Sequence, residues 1–401
     1  MLKKLTIALF LFLSSVMALN AAPIESFGDF IKSFEKTAIS AGISKQTYRN
    51  ATKNLTPIAN IPGLVRSQPE FTTPIWVYID KRVSASRIAR GKQAFAANVE
   101  LFNRIAKTYG VDPAILASIW GMETDYGGVL NNKKLIKPII ASLATLVHQR
   151  RDRLKEDEKE LIAALKLIQS YGWEKETLVG SWAGAIGHTQ VIASGLLKNG
   201  TDGDGDGIIN PHTSLADALA TSAKFLVSLG YVSGVDWGFE VDLPNNFDYS
   251  LATRTKLRPI DFFVNKGVKR VKGREFSDLN TFVFLYIPAG KTGPKFLMTQ
   301  NYLVLKAYNF SDSYALSVAH LADRLKGSGA FTSPWPKQTK FPNLKQRIYI
   351  QKRLKQLGFY DGEVDGRLGP ITQKAYSQFQ SSNGQTGDGF ITLKSYEILK
   401  K

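Results

Sequence analysis

Glu123 is a carboxylate placed where an apolar residue is expected. It lies in Tyr109-Gly-Val-Asp-Pro-Ala-Ile-Leu-Ala-Ser-Ile-Trp-Gly-Met-Glu-Thr-Asp-Tyr-Gly-Gly128. Asp112 supplies an N-cap, Pro113 a first helical residue, and Gly127 and Gly128 an end signal. Leu116, Trp120 and Glu123 fall at i, i+4 and i+7, so Glu123 continues the stripe that Ile115, Leu116, Ile119 and Trp120 bury. Desolvation in such a stripe disfavours the ionised form and raises the pKa, which is what a general acid at neutral pH requires. An ion pair with Arg150 or Arg151 accounts for the same placement equally well. Asp125 points to a different helix face, and the second carboxylate that glycoside hydrolysis ordinarily uses is not legible at any fixed spacing.

A second cluster of carboxylates suggests a metal. Asp202-Gly-Asp-Gly-Asp-Gly-Ile-Ile-Asn210 has acids at positions 1, 3 and 5, Gly at 6 and an apolar residue at 8, as an EF-hand loop does. Position 12 is Thr213 in place of the usual Glu, and Asp217, at the start of a helical run, is placed to substitute. Asp202, Asp204, Asp206 and Asp217 are therefore expected to hold a weakly bound structural Ca²⁺ or Na⁺, with an empty acidic turn as the alternative. Asp361-Gly-Glu-Val-Asp-Gly366 has similar spacing. Ala289-Gly-Lys-Thr292 has Leu at position 285, where a phosphate loop needs Gly, and reads as a β-turn connection. His188 serves either as a proton carrier or as a hydrogen-bonding loop residue.

The elements that must carry these residues are mostly helical. Residues 25–230 show amphipathic runs such as Glu156 to Ser170, with Leu161, Ala164, Leu165 and Ile168 at three- and four-residue spacings. Between about 238 and 307 the pattern turns β-rich, as in Thr281 to Ile287 and Phe296 to Leu305. Tyr308 to Lys326 reads as helix again, with Tyr314, Val318, Leu321, Ala322 and Leu325 on its apolar side. Thr332 to Pro342, rich in Pro and polar residues, reads as a linker before a separate module at 344–401.

At the N-terminus, Lys3 and Lys4 precede the apolar run Leu5–Leu13 and then small residues to Ala22, the layout of a secretory signal peptide over residues 1–22. The apolar run falls short of the roughly 20 residues that span a bilayer, so no membrane anchor is expected after cleavage. The chain has no Cys, which excludes thiol nucleophiles, thiolate metal sites, disulfides and a lipidated N-terminal Cys. Its 401 residues carry 52 Lys+Arg against 34 Asp+Glu, a formal charge of +18, which points to polyanionic surroundings; export weighs against nucleic acid as that partner.

The Glu123 segment, Ile119-Trp-Gly-Met-Glu-Thr-Asp-Tyr-Gly127, resembles the motif of the lytic murein transglycosylase B family, close to Ile-Trp-Gly-x-Glu-Thr-x-x-Gly. Further ordered matches run over roughly residues 25–330. They are Ser67-Gln-Pro-Glu-Phe-Thr72 with Trp76 and Tyr78, Ser142-Leu-Ala-Thr-Leu146 with Arg150-Arg151, and Glu160-Leu-Ile-Ala-Ala-Leu165. Gly180-Ser-Trp-Ala-Gly-Ala-Ile-Gly187 with Gln190, and Tyr308-Asn-Phe-Ser-Asp-Ser-Tyr314-Ala, complete the set. The resemblance implies a lysozyme-like helical catalytic domain with a small β subdomain, a mainly α (α+β) fold, over residues 23–331. It implies a periplasmic enzyme that cleaves the β-1,4 bond between N-acetylmuramic acid and N-acetylglucosamine in peptidoglycan without water, giving 1,6-anhydromuramoyl ends. Glu123 would act as acid and then base, with no cofactor needed. Ser181 and Gln190 would line the glycan groove, with Tyr302, Tyr308 and Tyr314 assisting or, on the alternative reading, merely packing in the core. The family tends to have Gly-x-x-Gln-Phe-Met/Ile-Pro-Ser where this chain has Gly187-His-Thr-Gln-Val-Ile-Ala-Ser194, so Val191 and Ala193 bear on subsite shape.

Residues 344–401 resemble the three-helix peptidoglycan-binding module, through Gln351-x-x-Leu354, Leu357-Gly-Phe359, Val364-Asp-Gly-x-x-Gly369, Thr372, Ala375, Phe379-Gln380 and Asp388-Gly389. In that module the Val-Asp-Gly turn is structural, which argues against a metal at 361–366. With 332–343 as linker, the expected whole is an exported enzyme with a wall-binding module. A hydrolytic muramidase and a non-catalytic wall-binding scaffold are the alternatives.

Overall fold

The helix that carries Glu123 spans Pro113–Thr124 in the computed structural model, which describes residues 25–61, 63, 69–149 and 153–401. The expected leader, residues 1–22, together with Ser67, Arg150 and Arg151, lies outside the described residues. Asp112 caps the helix by accepting a 2.7 Å hydrogen bond from the Ala114 amide, and Pro113 opens it. The end comes earlier than the glycines suggest, because Asp125 and Tyr126 already turn left-handed at φ of 52° and 59°. That backbone is costly for residues with a Cβ. Arg87 and Arg90 hold it by donating to Asp125 Oδ1 at 3.2 and 2.9 Å, and Gly121 makes room, since a Cβ there would stand 2.4 Å from the Tyr126 ring.

Residues 114–122 and Thr124 are buried, so this is a central helix. Helices Ile75–Arg82, Ala85–Ala97, Val99–Tyr109, Leu215–Ser228 and Asp312–Leu325 surround it, sharing a core that includes Phe102, Leu116, Ile119, Leu219 and Leu316. A second core joins helices Phe27–Ser40, Lys45–Thr52, Ile139–His148 and Leu154–Tyr171. Leu161, Ala164 and Leu165 are buried on the last of these, as their spacing predicts. Beside this core runs a small antiparallel sheet of two-residue strands, β1 (Lys137–Pro138), β2 (Val179–Gly180), β3 (Ala185–Ile186) and β4 (Val191–Ile192), in sequential order.

The β-rich region forms a second antiparallel sheet of β5 (Gly238–Asp242), β6 (Arg258–Pro259), β7 (Lys269–Arg270), β8 (Phe282–Tyr286) and β9 (Lys295–Met298), ordered β6-β8-β9-β5-β7. The run Phe296–Leu305 is strand only to Met298; Thr299 then caps a helix, Gln300–Asn309, by accepting from the Asn301 amide at 3.2 Å. The single helix expected from Tyr308 to Lys326 is two, broken at Phe310 (φ 61°) and restarted by the Ser311 cap on Tyr314. Ala289-Gly-Lys-Thr292 connects β8 to β9 as a turn.

Helices Leu344–Gln356, Pro370–Ser382 and Leu393–Lys400 build the C-terminal module around Ile350, Leu354, Tyr376 and Leu399. The connecting segment is docked along its length. Thr332 and Ser333 amides donate to the Glu240 carboxylate at 2.8 and 2.7 Å, Lys337 pairs with Asp80 at 2.6 Å, and Trp76 packs against both Trp335 and Phe341. The β8–β9 turn also meets the module, where Asp388 accepts from the Lys291 amide at 3.0 Å.

Candidate active site

Glu123 is the one residue of its helix between Ala114 and Thr124 that keeps part of its surface open. Enclosure by protein raises its pKa to about 7; Tyr314 and then Arg82 pull the value down, and Glu70 pushes it up. Among the described residues no cation forms an ion pair with it and no hydrogen bond of ordinary geometry reaches it. The Tyr314 hydroxyl approaches closely enough to favour the carboxylate yet is itself an enclosed group short of a well-formed hydrogen bond. Arg82 is steadied by its own helix: its Nε donates to the Tyr78 hydroxyl at 3.4 Å, one helical turn back.

The Gly187–Gln190 loop is fastened to the Glu123 helix at several points. Trp120 Nε1 donates to His188 Nδ1 at 3.0 Å, and the Thr124 hydroxyl donates to the His188 carbonyl at 2.6 Å. His188 is therefore an acceptor at Nδ1, and burial lowers its pKa to about 4, so it stays neutral. Its role is the hydrogen-bonding one. Tyr308 donates to the Thr189 carbonyl at 2.7 Å and lies 3.2 Å from Ser222 Oγ, while Ser222 donates to Thr189 Oγ1 at 2.7 Å. Farther along, Glu160 accepts from the Ser194 amide and hydroxyl at 2.9 and 2.6 Å. Gly187 has φ of 74°, and a Cβ there would lie 2.2 Å from the Pro211 carbonyl oxygen, so only Gly fits the turn. Gln190 itself adopts φ of 50° and donates from Nε2 to the Gly187 carbonyl at 2.8 Å. Ser181 Oγ accepts from the Ala183 and Ala185 amides. Val191 and Ala193 are buried in the second core, so the departure from the resembled motif lies beneath the loop.

The three tyrosines separate. Tyr308 and Tyr314 stand with nearly parallel rings, 6.4 Å between centroids and 6° between planes, and both feel the charge of Glu123. Tyr302 is fully buried, and its hydroxyl donates to Asp312 Oδ1 at 2.9 Å, within a network where Asp312 also binds Arg254 at 2.7 Å and Lys306 at 2.9 Å. Arg82 and Glu70 are functional candidates that the sequence reading did not single out. The spacing of Tyr78 and Arg82, four residues apart, was the available signal.

In the acidic loop, carboxylate oxygens of Asp202, Asp204 and Asp217 lie within 4.8 Å of one another. Asp206 is not in that triad, and its Oδ1 accepts from the Ile208 amide at 2.7 Å. Asp217 is buried, its carboxylate accepting from the Gly203 and Asn210 amides, each at 2.7 Å. Burial raises its pKa, and the nearby Asp204 and Asp202 charges add to that. Three converging carboxylates, one of them buried, fit a hard cation.

In the module two buried glutamines hold turns. Gln351 Oε1 accepts from the Gly366 amide at 2.6 Å while its Nε2 donates to Asp365 Oδ1 and the Arg367 carbonyl, each at 3.0 Å. Gln380 repeats the arrangement with the Gly389 amide at 2.8 Å and Asp388 Oδ1 at 2.9 Å. The Val364-Asp-Gly366 turn is thus a structural knot.

A helical body with two small sheets and a helical C-terminal module is the lysozyme-like architecture of the lytic transglycosylases. The chain belongs to the family described as "Transglycosylase SLT domain", whose model matches residues 26–323, and a peptidoglycan binding domain matches residues 343–399. Membrane-bound lytic murein transglycosylase B of Escherichia coli (strain K12) is 29% identical over 185 residues, 45% of this chain and 50% of that protein. The matched part thus spans half the length of that curated relative. The crystal structure of SltB3 from Pseudomonas aeruginosa, in complex with NAG-anhNAM-pentapeptide, is 36% identical with a TM-score of 0.87, covering 94% of this chain and 100% of that one. The Escherichia coli lytic transglycosylase Slt35 in complex with calcium, 22% identical with a TM-score of 0.60 over 77% of this chain and 94% of that one, shares the fold.

Proposed function

We propose that this chain is a peptidoglycan lytic transglycosylase in which Glu123 serves first as acid and then as base. The observation that carries the reading is an enclosed carboxylic acid with a pKa near 7 and no formed ion pair among the described residues. Glu123 protonates the glycosidic oxygen as the bond from that oxygen to the muramoyl anomeric carbon breaks. The 6-hydroxyl of the same sugar attacks that carbon, and its proton passes to the Glu123 carboxylate, restoring the acid. No water is consumed, so the new end is a 1,6-anhydro sugar. Ser181, Gln190, Tyr308 and Tyr314 border the substrate in this reading. Tyr302 supports them from the Asp312 network.

One observation favours a second reading. Glu70 lies close enough to Glu123 for its charge to be felt, and a pair of carboxylates can activate water. Digesting purified sacculi and weighing the released muropeptides separates the two: anhydro ends support the lyase, reducing ends the hydrolytic muramidase. Equal release by Glu123→Gln removes the role assigned to Glu123, and no release by the parent chain leaves a wall-binding scaffold.

The body at 23–331 would cut while the module at 344–401, joined through 332–343, holds the polymer, in the periplasm after removal of residues 1–22. Asp202, Asp204 and Asp217 would hold Ca²⁺ or Na⁺, which would tie the loop to the helix Leu215–Ser228 and take no part in the chemistry. Calcium at a hundred times its Kd should then stabilise the fold by about 2.7 kcal/mol, read as a raised melting temperature that Asp217→Asn removes.

A further inference from the structure

The helix Asp312–Leu325 carries Tyr314 toward Glu123, and nine residues later Asp323 faces the other way, about 180° around the helix. On that far side is a cavity of about 300 Å³. Arg270, Lys272 and Arg274 line it, facing Asp236, Glu240 and Asp323. Lys326 also lines the wall, but Asp112 pairs with it at 3.0 Å.

Arg270 is built into position and left unsatisfied. Its guanidinium sits over the Phe239 ring at 4.7 Å and near the Phe276 ring at 5.9 Å, and one N–H group, Nη1, donates to the Glu275 carbonyl at 2.6 Å. Among the described residues no carboxylate pairs with it, and its Nε is enclosed with no acceptor. Lys272 and Gly273, at φ of 60° and 62°, turn the chain so that Arg274 returns to the same cavity. Burial and then the charge of Arg274 disfavour the guanidinium, the charges of Asp236 and Asp323 offset part of that, and a bound anion would relieve what remains.

The acidic side decides which anion. Glu240 is spent on the Thr332 and Ser333 amides, and Asp323 accepts from Trp237 Nε1 at 3.3 Å. The Asp236 carboxylate makes no hydrogen bond among the described residues. A dianionic phosphate would be repelled by these acids, and a neutral sugar would leave the guanidinium unmatched. We propose that this cavity binds the end of a peptide bearing a free carboxylate, held by Arg270 and Arg274, and an amino group, held by Asp236. Such groups belong to the peptide stems of peptidoglycan, so naming the source rests on the proposed function.

The full chain is titrated calorimetrically with three probes: a free stem pentapeptide ending in a carboxylate, its C-terminal amide, and inorganic phosphate. The acid should bind at least tenfold more tightly than the amide or phosphate. Arg270→Gln and Arg274→Gln should each lose tenfold or more, while anhydro-end formation from peptide-free glycan strands stays at the level of the parent chain. Arg274 is exposed, so that variant keeps the test open if Arg270→Gln folds poorly. Equal binding of acid and amide, stronger binding of phosphate, or unchanged affinity in both variants overturns the proposal. If peptide binds and needs both arginines while no anhydro ends form, the peptide site stands and the lyase reading falls.

Discussion

Two enclosed polar groups in this chain are treated in opposite ways. Gln351 in the module uses both ends of its amide, with the Gly366 amide on one side and Asp365 and the Arg367 carbonyl on the other. Glu123 in the body has a charge of its own to satisfy and, among the described residues, nothing that bonds it well beyond the approach of Tyr314 and the fields of Arg82 and Glu70. Folding alone rewards the first arrangement and penalises the second. The second persists because an unmatched carboxyl can give and take a proton, whereas a saturated amide can only hold a turn. The same contrast recurs within two residues of the site, since Asp125 is claimed by Arg87 and Arg90 and its pKa is held low.

Removing the unmatched group gives the largest effect. Glu123→Gln should lower muropeptide release by about 10²–10⁴-fold or more, the range for a lost general acid. Its melting temperature should be equal or higher, because an enclosed ionisable group is replaced by a neutral one of the same shape. A pull-down on sacculi should be unchanged. The saturated amide should behave in the reverse way. Gln351→Ala strands several enclosed partners, at about 1–3 kcal/mol for each group left unpaired. It should melt the module early and weaken sacculus binding, with release of product from soluble glycan strands kept. Loss of activity toward soluble strands in Gln351→Ala would mean that the two parts are not separable in this way.

What could be read in advance follows the range of the forces involved. Asp112 and Pro113 announce the Glu123 helix because capping is settled within a few residues. The helix end was misplaced because Asp125 is held by arginines 35 and 38 positions away in sequence. For the same reason the break at Phe310 was invisible inside an apolar pattern that runs through it. At the site, the apolar stripe betrayed Glu123, but no periodicity could bring Arg82 and Glu70 to it. Tyr302 and Tyr314 look alike as residue types; only packing sends one to Asp312 and the other to Glu123. In the acidic loop, spacing gave the carboxylates but not the inward ones, and Asp206 turned to its own backbone.

The smallest effects should be shifts in pH dependence, and they test whether Glu123 is governed by its neighbours' fields. The acid step needs protonated Glu123, so kcat/KM should fall with single-proton slope as pH rises through about 7. Glu70 favours the protonated form by repulsion, so Glu70→Gln should lower the Glu123 pKa and move that limb to lower pH. Arg82 favours the carboxylate, so Arg82→Gln should move the limb to higher pH. Each shift is expected to be up to about one unit, worth about 1.4 kcal/mol. The plateau activity at low pH should survive both changes, because neither residue gives or takes the proton. Movement of both limbs in the same direction would locate the control of Glu123 elsewhere. Loss of the plateau in Glu70→Gln would instead make Glu70 a participant in the reaction, as the two-carboxylate hydrolytic reading requires.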